Sequence, residues 1–381
     1  MSEKLMMLSQ LEIMREASQV KACMLQVQFA PTESQAAIHM NLFPYYSNLC
    51  IGLDSVIFPI NEIEEIVNCD FIKMLKRNRI GMKLLSDKKR LRKKINILSK
   101  IIDSNNKVLR MDYGALQKIY IKVFGQKDFG VSFYNGFPIA NTFQQTLFWV
   151  DFLLDENNNE NTFEGYVKHM GEQLKNFSRD VGAYISTVAT GFEESFKIDI
   201  SEYIAKERTS EICIDTKEYY FSDDKRRDIF TSSEDKFIQL MVFVSQCQLN
   251  FVDKLLPNFI PVTSEFYLRI KLINYLSVVS ILGSVENTLL SSGNFDLIDI
   301  SEIFKEKNRL FPKDSPLRNN IFHYSISDID ASKIDYTNNI INELIKASSD
   351  MEPDLFLSQI DVQIDAINSI FTSFIGEISN V

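Results

Sequence analysis

The chain contains few of the residues that build common catalytic sites. Its 381 residues include three His, one Trp and five Cys, and no C-x-x-C, H-E-x-x-H, G-x-G-x-x-G, G-x-S-x-G or P-loop pattern occurs. Scattered His and Cys argue against a zinc or iron site, so we expect neither a metal nor another cofactor. With no secretory signal in view, the Cys residues (23, 50, 69, 213 and 247) are expected to be reduced and buried.

Glycine and proline are also scarce, at 13 and 9 residues, while 45% of the chain is hydrophobic. This composition is typical of an ordered globular protein, and long stretches rich in Ile, Leu, Glu and Lys favour helices. We therefore predict an all-α fold. It comprises an N-terminal helical domain over 1–205, a linker over 206–231 and a C-terminal bundle of five or six helices over 232–381.

Several short segments are expected to interrupt the helices. Pro44 and Pro59 should each break the early helical pattern, and Gly125–Pro138 reads as a turn-rich connector. Within the linker, Ile212–Ile214 and Tyr219–Phe221 are candidates for two short strands.

Long hydrophobic runs are absent as well. The densest apolar stretch, Ile273–Gly283, is too short and too interrupted to span a bilayer. The first segment, Met1–Ala30, is predicted to form an amphipathic helix and lacks the apolar centre of a signal peptide. We expect a cytosolic protein with no membrane partner.

Charge is distributed unevenly along the chain. Residues 73–100 hold twelve Lys or Arg and one acid, so this segment carries +11 and the rest carries −21 within a net charge of −10. Such asymmetry indicates an anionic partner. The residues we expect to contact RNA are Lys88, Lys89, Arg90, Arg92, Lys93 and Lys94. The alternative is a solvated amphipathic helix, since apolar residues also recur there at helical spacing.

The most informative pair is Arg318 and His323, in the segment LRNNIFHY. A permanently charged guanidinium can neutralise phosphate charge, and an imidazole that titrates near neutral pH can move protons. Together they suffice for RNA cleavage without a metal. Ser315 and Pro316 predict the start of a helix that continues to about Ile326. On a helix, five residues correspond to about 140°, so the two side chains would not share a face.

This segment resembles the Arg-x4-His motif of the HEPN superfamily, in which a polar residue often follows the Arg, as Asn319 does here. The resemblance covers 232–381 only. It implies a metal-independent endoribonuclease that acts as a toxin or as a phage-defence (abortive infection) effector. It also implies RNA as substrate, a possible antitoxin partner, and a composite site. This chain has one motif copy, so a homodimer or a second HEPN-bearing chain would complete the site.

Under that resemblance His323 is the general base or acid and Arg318 stabilises the transition state, while Asn319 orients the imidazole or binds phosphate. Glu286, which interrupts an apolar stripe, and Tyr324 are possible orienting residues. Other interpretations stay open: an HEPN-like domain that is inactive or antitoxin-like, a surface Arg with a His packed near Tyr324, and a Glu286 that reaches water. The alternative function is a non-catalytic helical module that binds protein or nucleic acid.

Overall fold

The structure, a computed structural model, describes most of the chain. The described residues are 3–57, 71–84, 90, 92–97, 100, 117–118, 120–121, 125–153, 163–197, 199–204, 209–223, 225–231, 235–291, 297–349, 351–376 and 378. Pro59, Cys69, Lys88 and Lys89 lie outside them.

The prediction of an all-α fold is confirmed, because helices dominate and the described residues contain only one small sheet. The helices before the sheet are α1 (Glu3–Val27), α2 (Thr32–Val56) and α3 (Phe71–Leu84), and those after its first two strands are α4 (Thr142–Leu153) and α5 (Phe163–Phe196). The later helices are α6 (Lys236–Asn250), α7 (Glu265–Ser291), α8 (Leu297–Leu310), α9 (Leu317–Phe322), α10 (Ile340–Ser349) and α11 (Pro353–Ile375).

The sheet has the order β2-β1-β3, with both pairs antiparallel. Its strands are β1 (Phe129–Tyr134), β2 (Phe137–Asn141) and β3 (Asp215–Tyr219). Asn135 and Gly136 join the first two strands with φ of 48° and 81°, the left-handed geometry that Asn-Gly adopts in tight hairpins. The predicted connector Gly125–Pro138 is therefore largely a hairpin.

The predicted linker 206–231 contributes to this sheet. One strand at 215–219 replaces the two strands that we predicted at 212–214 and 219–221. The Asp128 carboxylate accepts hydrogen bonds from the backbone amides of Phe221, Ser222 and Asp223, which fixes the chain after β3. Hydrogen bonding to β1, and not isolated sequence periodicity, determines where this strand lies.

Helix α2 continues through Pro44, so the break predicted there is wrong. Proline lacks the amide that would bond within the helix, but neighbouring elements can hold such a helix together. Pro44 and the adjacent Tyr45 and Tyr46 are all buried. The burial of this segment therefore stabilises the helix more than the loss of one backbone hydrogen bond destabilises it.

One hydrophobic core includes residues from both predicted domains. The ring of Phe143 on α4 lies 5.9 Å from that of Phe237 on α6, and the ring of Tyr46 lies 6.4 Å from that of Phe266 on α7. Aromatic pairs at such distances pack favourably. The N-terminal helices and the C-terminal bundle thus share an apolar interface.

Helix α7 is the central helix of the bundle. Among the described residues, one window, Glu265–Leu290, has the length and apolar composition to cross a bilayer, and 72% of it is buried inside the protein. A core helix of a water-soluble protein passes the same test, so this is weak evidence for a membrane span.

Candidate active site

The motif lies on and just beyond α9. Leu317 and Ile321 are fully buried and anchor this short helix to the core, while Arg318 and Asn319 are exposed. The apolar spacing of four residues accounts for this orientation, since such residues occupy one helix face. Ser315 Oγ accepts a hydrogen bond from the Leu317 amide at 3.3 Å, near the predicted helix start.

Helix α9 ends earlier than predicted, at Phe322 rather than near Ile326. His323 is its C-cap and has an extended backbone, with φ −129° and ψ 144°. The angle of about 140° expected for a continuous helix therefore does not apply. Arg318, Asn319 and His323 all line one cleft of about 690 Å³ between α7, α8 and α9.

The cleft contains a second cation that the sequence did not reveal. Lys307, on α8, lines it together with Asn308, whose side-chain oxygen accepts a hydrogen bond from Lys307 Nζ at 3.2 Å. Burial, followed by the charge of Arg318, lowers the pKa of Lys307 below its ordinary value. The two cations are therefore close enough to repel each other.

No carboxylate lines this cleft in the described part of the chain. That composition is notable in a protein with 51 acidic residues and a net charge of −10. The guanidinium of Arg318 lies 6.0 Å from the centre of the Phe322 ring, and Phe304 forms another aromatic wall. The cleft thus combines positive charge, amide groups and flat apolar surface, which suits a nucleotide.

Behind α9 lies a buried ionic cluster. Arg269 of α7 is 1% exposed and donates hydrogen bonds to Glu12 Oε1 at 2.6 Å and Glu16 Oε1 at 2.7 Å, both on α1. Its remaining amino group donates to the backbone oxygens of Asn320 and Ile321. A cation at these carbonyls stabilises the C-terminal end of a helix. Arg269 thereby fixes the last turn of α9 against α1.

Desolvation dominates the electrostatics of that cluster. Burial raises the pKa of Glu12 to about 8, although the charge of Arg269 acts in the opposite direction. Burial also raises the pKa of Glu16, which accepts hydrogen bonds from Arg269 and from the Tyr324 hydroxyl. Among the described residues Glu12 Oε2 has no hydrogen-bond partner. One guanidinium thus serves two carboxyl groups, and burial favours the neutral form of each.

Tyr324 belongs to this cluster and not to the cleft. Its hydroxyl donates to Glu16 Oε2 at 2.7 Å, and the guanidinium of Arg269 lies 4.2 Å from its ring centre. A Cβ at Gly52 would lie 2.3 Å from Tyr324 Cδ2, so this glycine provides the space for the ring. Tyr324 is therefore an anchor in the core, and an orienting role toward His323 stays a prediction.

Two further contacts fix the chain beyond His323. The side chain of Asn320, fully buried, donates from Nδ2 to Ser327 O and accepts from Ser327 N, both at 3.0 Å. The amide of Ile326 donates to Ser9 Oγ on α1 at 2.9 Å. The imidazole thus extends from a segment that is held on both sides.

Glu286 is half-buried on α7 and is not among the residues that line the cleft with Arg318 and His323. Arg269 is a fully buried charged residue within the apolar sequence of the same helix. The sequence signal was present, since an arginine inside the apolar stretch EFYLRIKL requires a partner when buried. The carboxylates that pair with it, Glu12 and Glu16, however, lie some 250 residues earlier in the sequence.

The basic residues predicted to bind RNA were Lys88, Lys89, Arg90, Arg92, Lys93 and Lys94. The first two are outside the described residues, the next three are exposed and the last is half-buried. Arg92 forms an ion pair with Asp235 at 3.3 Å and lies 4.8 Å from the ring centre of Phe237. It therefore packs on the start of α6, and RNA binding by this segment stays a prediction.

Two other sequence expectations concern metal ligands and cysteines. No group of three or more His, Cys, Asp or Glu is placed to hold a metal ion among the residues that the structure describes. Cys23, Cys50 and Cys247 are buried as free thiols, whereas Cys213 is exposed, which corrects the expectation of uniform burial. Cys213 precedes the edge strand β3, where one face of the chain meets solvent.

Comparison with known proteins identifies no relative: no protein-family model, no curated protein and no solved structure matches this chain. The function is therefore argued from the cleft itself.

Proposed function

We propose that this chain is a metal-independent endoribonuclease of the HEPN type, acting in the cytosol as a toxin or phage-defence effector. The observation that carries the proposal is that Arg318, Asn319 and His323 line the same cleft. No carboxylate of the described residues lines that cleft. A polyanion is attracted to such a cleft, and an imidazole beside a fixed cation is a general acid–base arrangement.

The chemistry is an attack by the ribose 2′-hydroxyl on its own 3′-phosphate. The O2′–P bond forms and the P–O5′ bond breaks, which leaves a 2′,3′-cyclic phosphate and a free 5′-hydroxyl. Arg318 stabilises the additional negative charge on the pentacoordinate transition state. His323 either accepts the 2′-hydroxyl proton or donates a proton to the departing O5′. Asn319 binds a phosphate oxygen or orients the imidazole.

One imidazole performs one of these two proton transfers at a time. His323 is the one His that lines this cleft among the described residues. The other transfer then requires a second motif, from a second copy of this chain or from a different HEPN-bearing chain. We therefore propose a homodimer, or such a heteromer, as the active unit, with an antitoxin as a possible further partner.

The test uses end-labelled RNA incubated with the purified protein in EDTA. The wild type should cleave, and Arg318→Ala and His323→Ala should each reduce the rate by about 10²-fold or more, since acid–base and electrostatic contributions are of that size. Matched controls are Arg179→Ala, whose side chain is 70% exposed on α5, and His169→Ala on the same helix. Both controls should cleave at the wild-type rate.

Loss of cleavage in EDTA, or full activity of His323→Ala, would contradict the proposal. RNA that is bound but left intact by all five proteins would favour the non-catalytic nucleic-acid-binding module instead. Cyclic phosphate and 5′-hydroxyl ends exclude a hydrolytic metal-dependent nuclease, and residual cleavage by the His323→Ala preparation would reveal a contaminating ribonuclease.

A further inference from the structure

Helix α8 carries three neighbouring basic residues in different environments. Lys305 forms an ion pair with Glu302 at 3.3 Å, and Arg309 pairs with Glu306 through Nε at 2.9 Å. Lys307 is the one that faces the cleft, and it forms no ion pair within the described residues. Two of the three cations are thus neutralised on the helix surface, and the third is directed to the site that holds Arg318.

Lys307 and Arg318 come from different helices, α8 and α9, and border the same cleft. Their mutual repulsion is a cost that no described acidic residue of the lining offsets. An anion between them would remove this repulsion and gain hydrogen bonds to both. A phosphate group has the charge and the several acceptor oxygens that such a pair of donors requires.

The wall beside these cations is flat and apolar. Gly283 of α7 has no side chain, and a Cβ there would lie 3.4 Å from Cζ of Phe304, so the ring of Phe304 borders the α7 backbone closely. Ser280 and Ser277, about one and two turns before Gly283, are also small and also line the cleft. Phe304 thus lines the cleft beside small residues of α7, and aromatic side chains in such clefts stack on nucleobases of any identity.

We infer that the cleft is a nucleotide subsite in which Lys307 and Arg318 together bind one phosphate of an RNA strand, with the adjoining unpaired base on Phe304. The inference rests on the proposed function and identifies residues outside the Arg-x4-His segment that select the substrate. The base must be unpaired because stacking on Phe304 replaces its stacking in a duplex.

The experiment compares Lys307→Ala with Lys305→Ala, its matched control two residues earlier on α8. Steady-state cleavage of a short single-stranded RNA should show KM raised about tenfold for Lys307→Ala, because a charge-assisted hydrogen bond to phosphate is lost. Lys305→Ala should leave KM unchanged. In the His323→Ala background, we also plot the logarithm of the RNA-binding constant against the logarithm of the salt concentration. Replacement of Lys307 should make this negative slope less steep by about 0.7.

Phe304 is tested with the same RNA lacking one nucleobase at the cleavage position. In the His323→Ala background, the protein should bind the abasic RNA about fivefold more weakly than intact RNA. The additional change Phe304→Leu should make the two affinities equal, since leucine cannot stack. Equal binding of the two RNAs by His323→Ala itself would overturn the base contact.

The outcomes separate the two proposals. Cleavage by the wild type with identical KM for Lys307→Ala and Lys305→Ala overturns the phosphate contact and leaves the nuclease standing. Absence of cleavage with RNA binding weakened by Lys307→Ala alone overturns the nuclease and supports the subsite. Absence of both cleavage and RNA binding overturns both.

Discussion

Arg318 is expected to act through the geometry of its guanidinium as well as its charge. The planar guanidinium presents paired donors that match two phosphate oxygens, whereas a lysine ammonium is a point charge. Arg318→Lys should therefore keep most of the affinity for RNA and reduce the cleavage rate by about 10- to 100-fold. Binding titration and single-turnover kinetics on the same RNA measure the two effects separately.

Arg179→Lys is the control for this exchange, because its side chain is exposed on α5 and far from the motif in sequence. It should change neither quantity. Wild-type cleavage by Arg318→Lys would mean that charge alone suffices at this position, which contradicts a bidentate contact in the transition state.

At the scale of the element, two adjacent asparagines of α9 are expected to have opposite roles. Asn319 is exposed in the cleft, whereas Asn320 is fully buried and bonded twice to the backbone of Ser327. Asn319→Ala should lower the cleavage rate and change the free energy of unfolding by less than about 0.5 kcal/mol. Asn320→Ala should lower the free energy of unfolding by about 1–3 kcal/mol.

Urea unfolding and the RNA cleavage assay, applied to both variants, measure this separation. Each variant serves as the control for the other, since the two residues are neighbours of the same type. If Asn319→Ala is destabilised as much as Asn320→Ala, the side chain of Asn319 stabilises the helix. That result would argue against a role for Asn319 in the site.

The helical elements were largely predictable because their signals are local. The bundle of five or six helices predicted over 232–381 corresponds to the six described helices α6 to α11. The hairpin at Asn135–Gly136 was missed although Asn-Gly is a strong turn signal. The early end of α9 and the cluster of Arg269 with α1 could not be predicted from the sequence. Both depend on contacts between residues that are far apart in the chain.

At the scale of the whole molecule, Glu12 should make stability depend on pH. Its pKa of about 8 in the folded protein exceeds the ordinary value of 4.5, so between these values the folded state holds a proton that the unfolded state has lost. This contribution is complete below pH 4.5 and disappears as pH rises through 8. The free energy of unfolding should therefore fall, by up to about 1.4 kcal/mol per pH unit, between pH 5.5 and 8.

Glu12→Gln keeps the shape of the side chain but cannot ionise, so the variant should lack this fall and become more stable relative to the wild type as pH rises. Urea unfolding at several pH values gives the comparison. Glu33→Gln, an exposed change at the start of α2, should reproduce the wild-type slope. A slope unaltered by Glu12→Gln would show that Glu12 is ionised throughout this range.

The cluster behind α9 joins residues 253 and 308 positions apart, from Glu16 to Arg269 and to Tyr324. During translation the first helix leaves the ribosome long before the last of these partners exists. The two glutamates of α1 remain without their guanidinium until Arg269 has been synthesised. The cleft and the cluster behind it can therefore assemble only after Tyr324 has been synthesised.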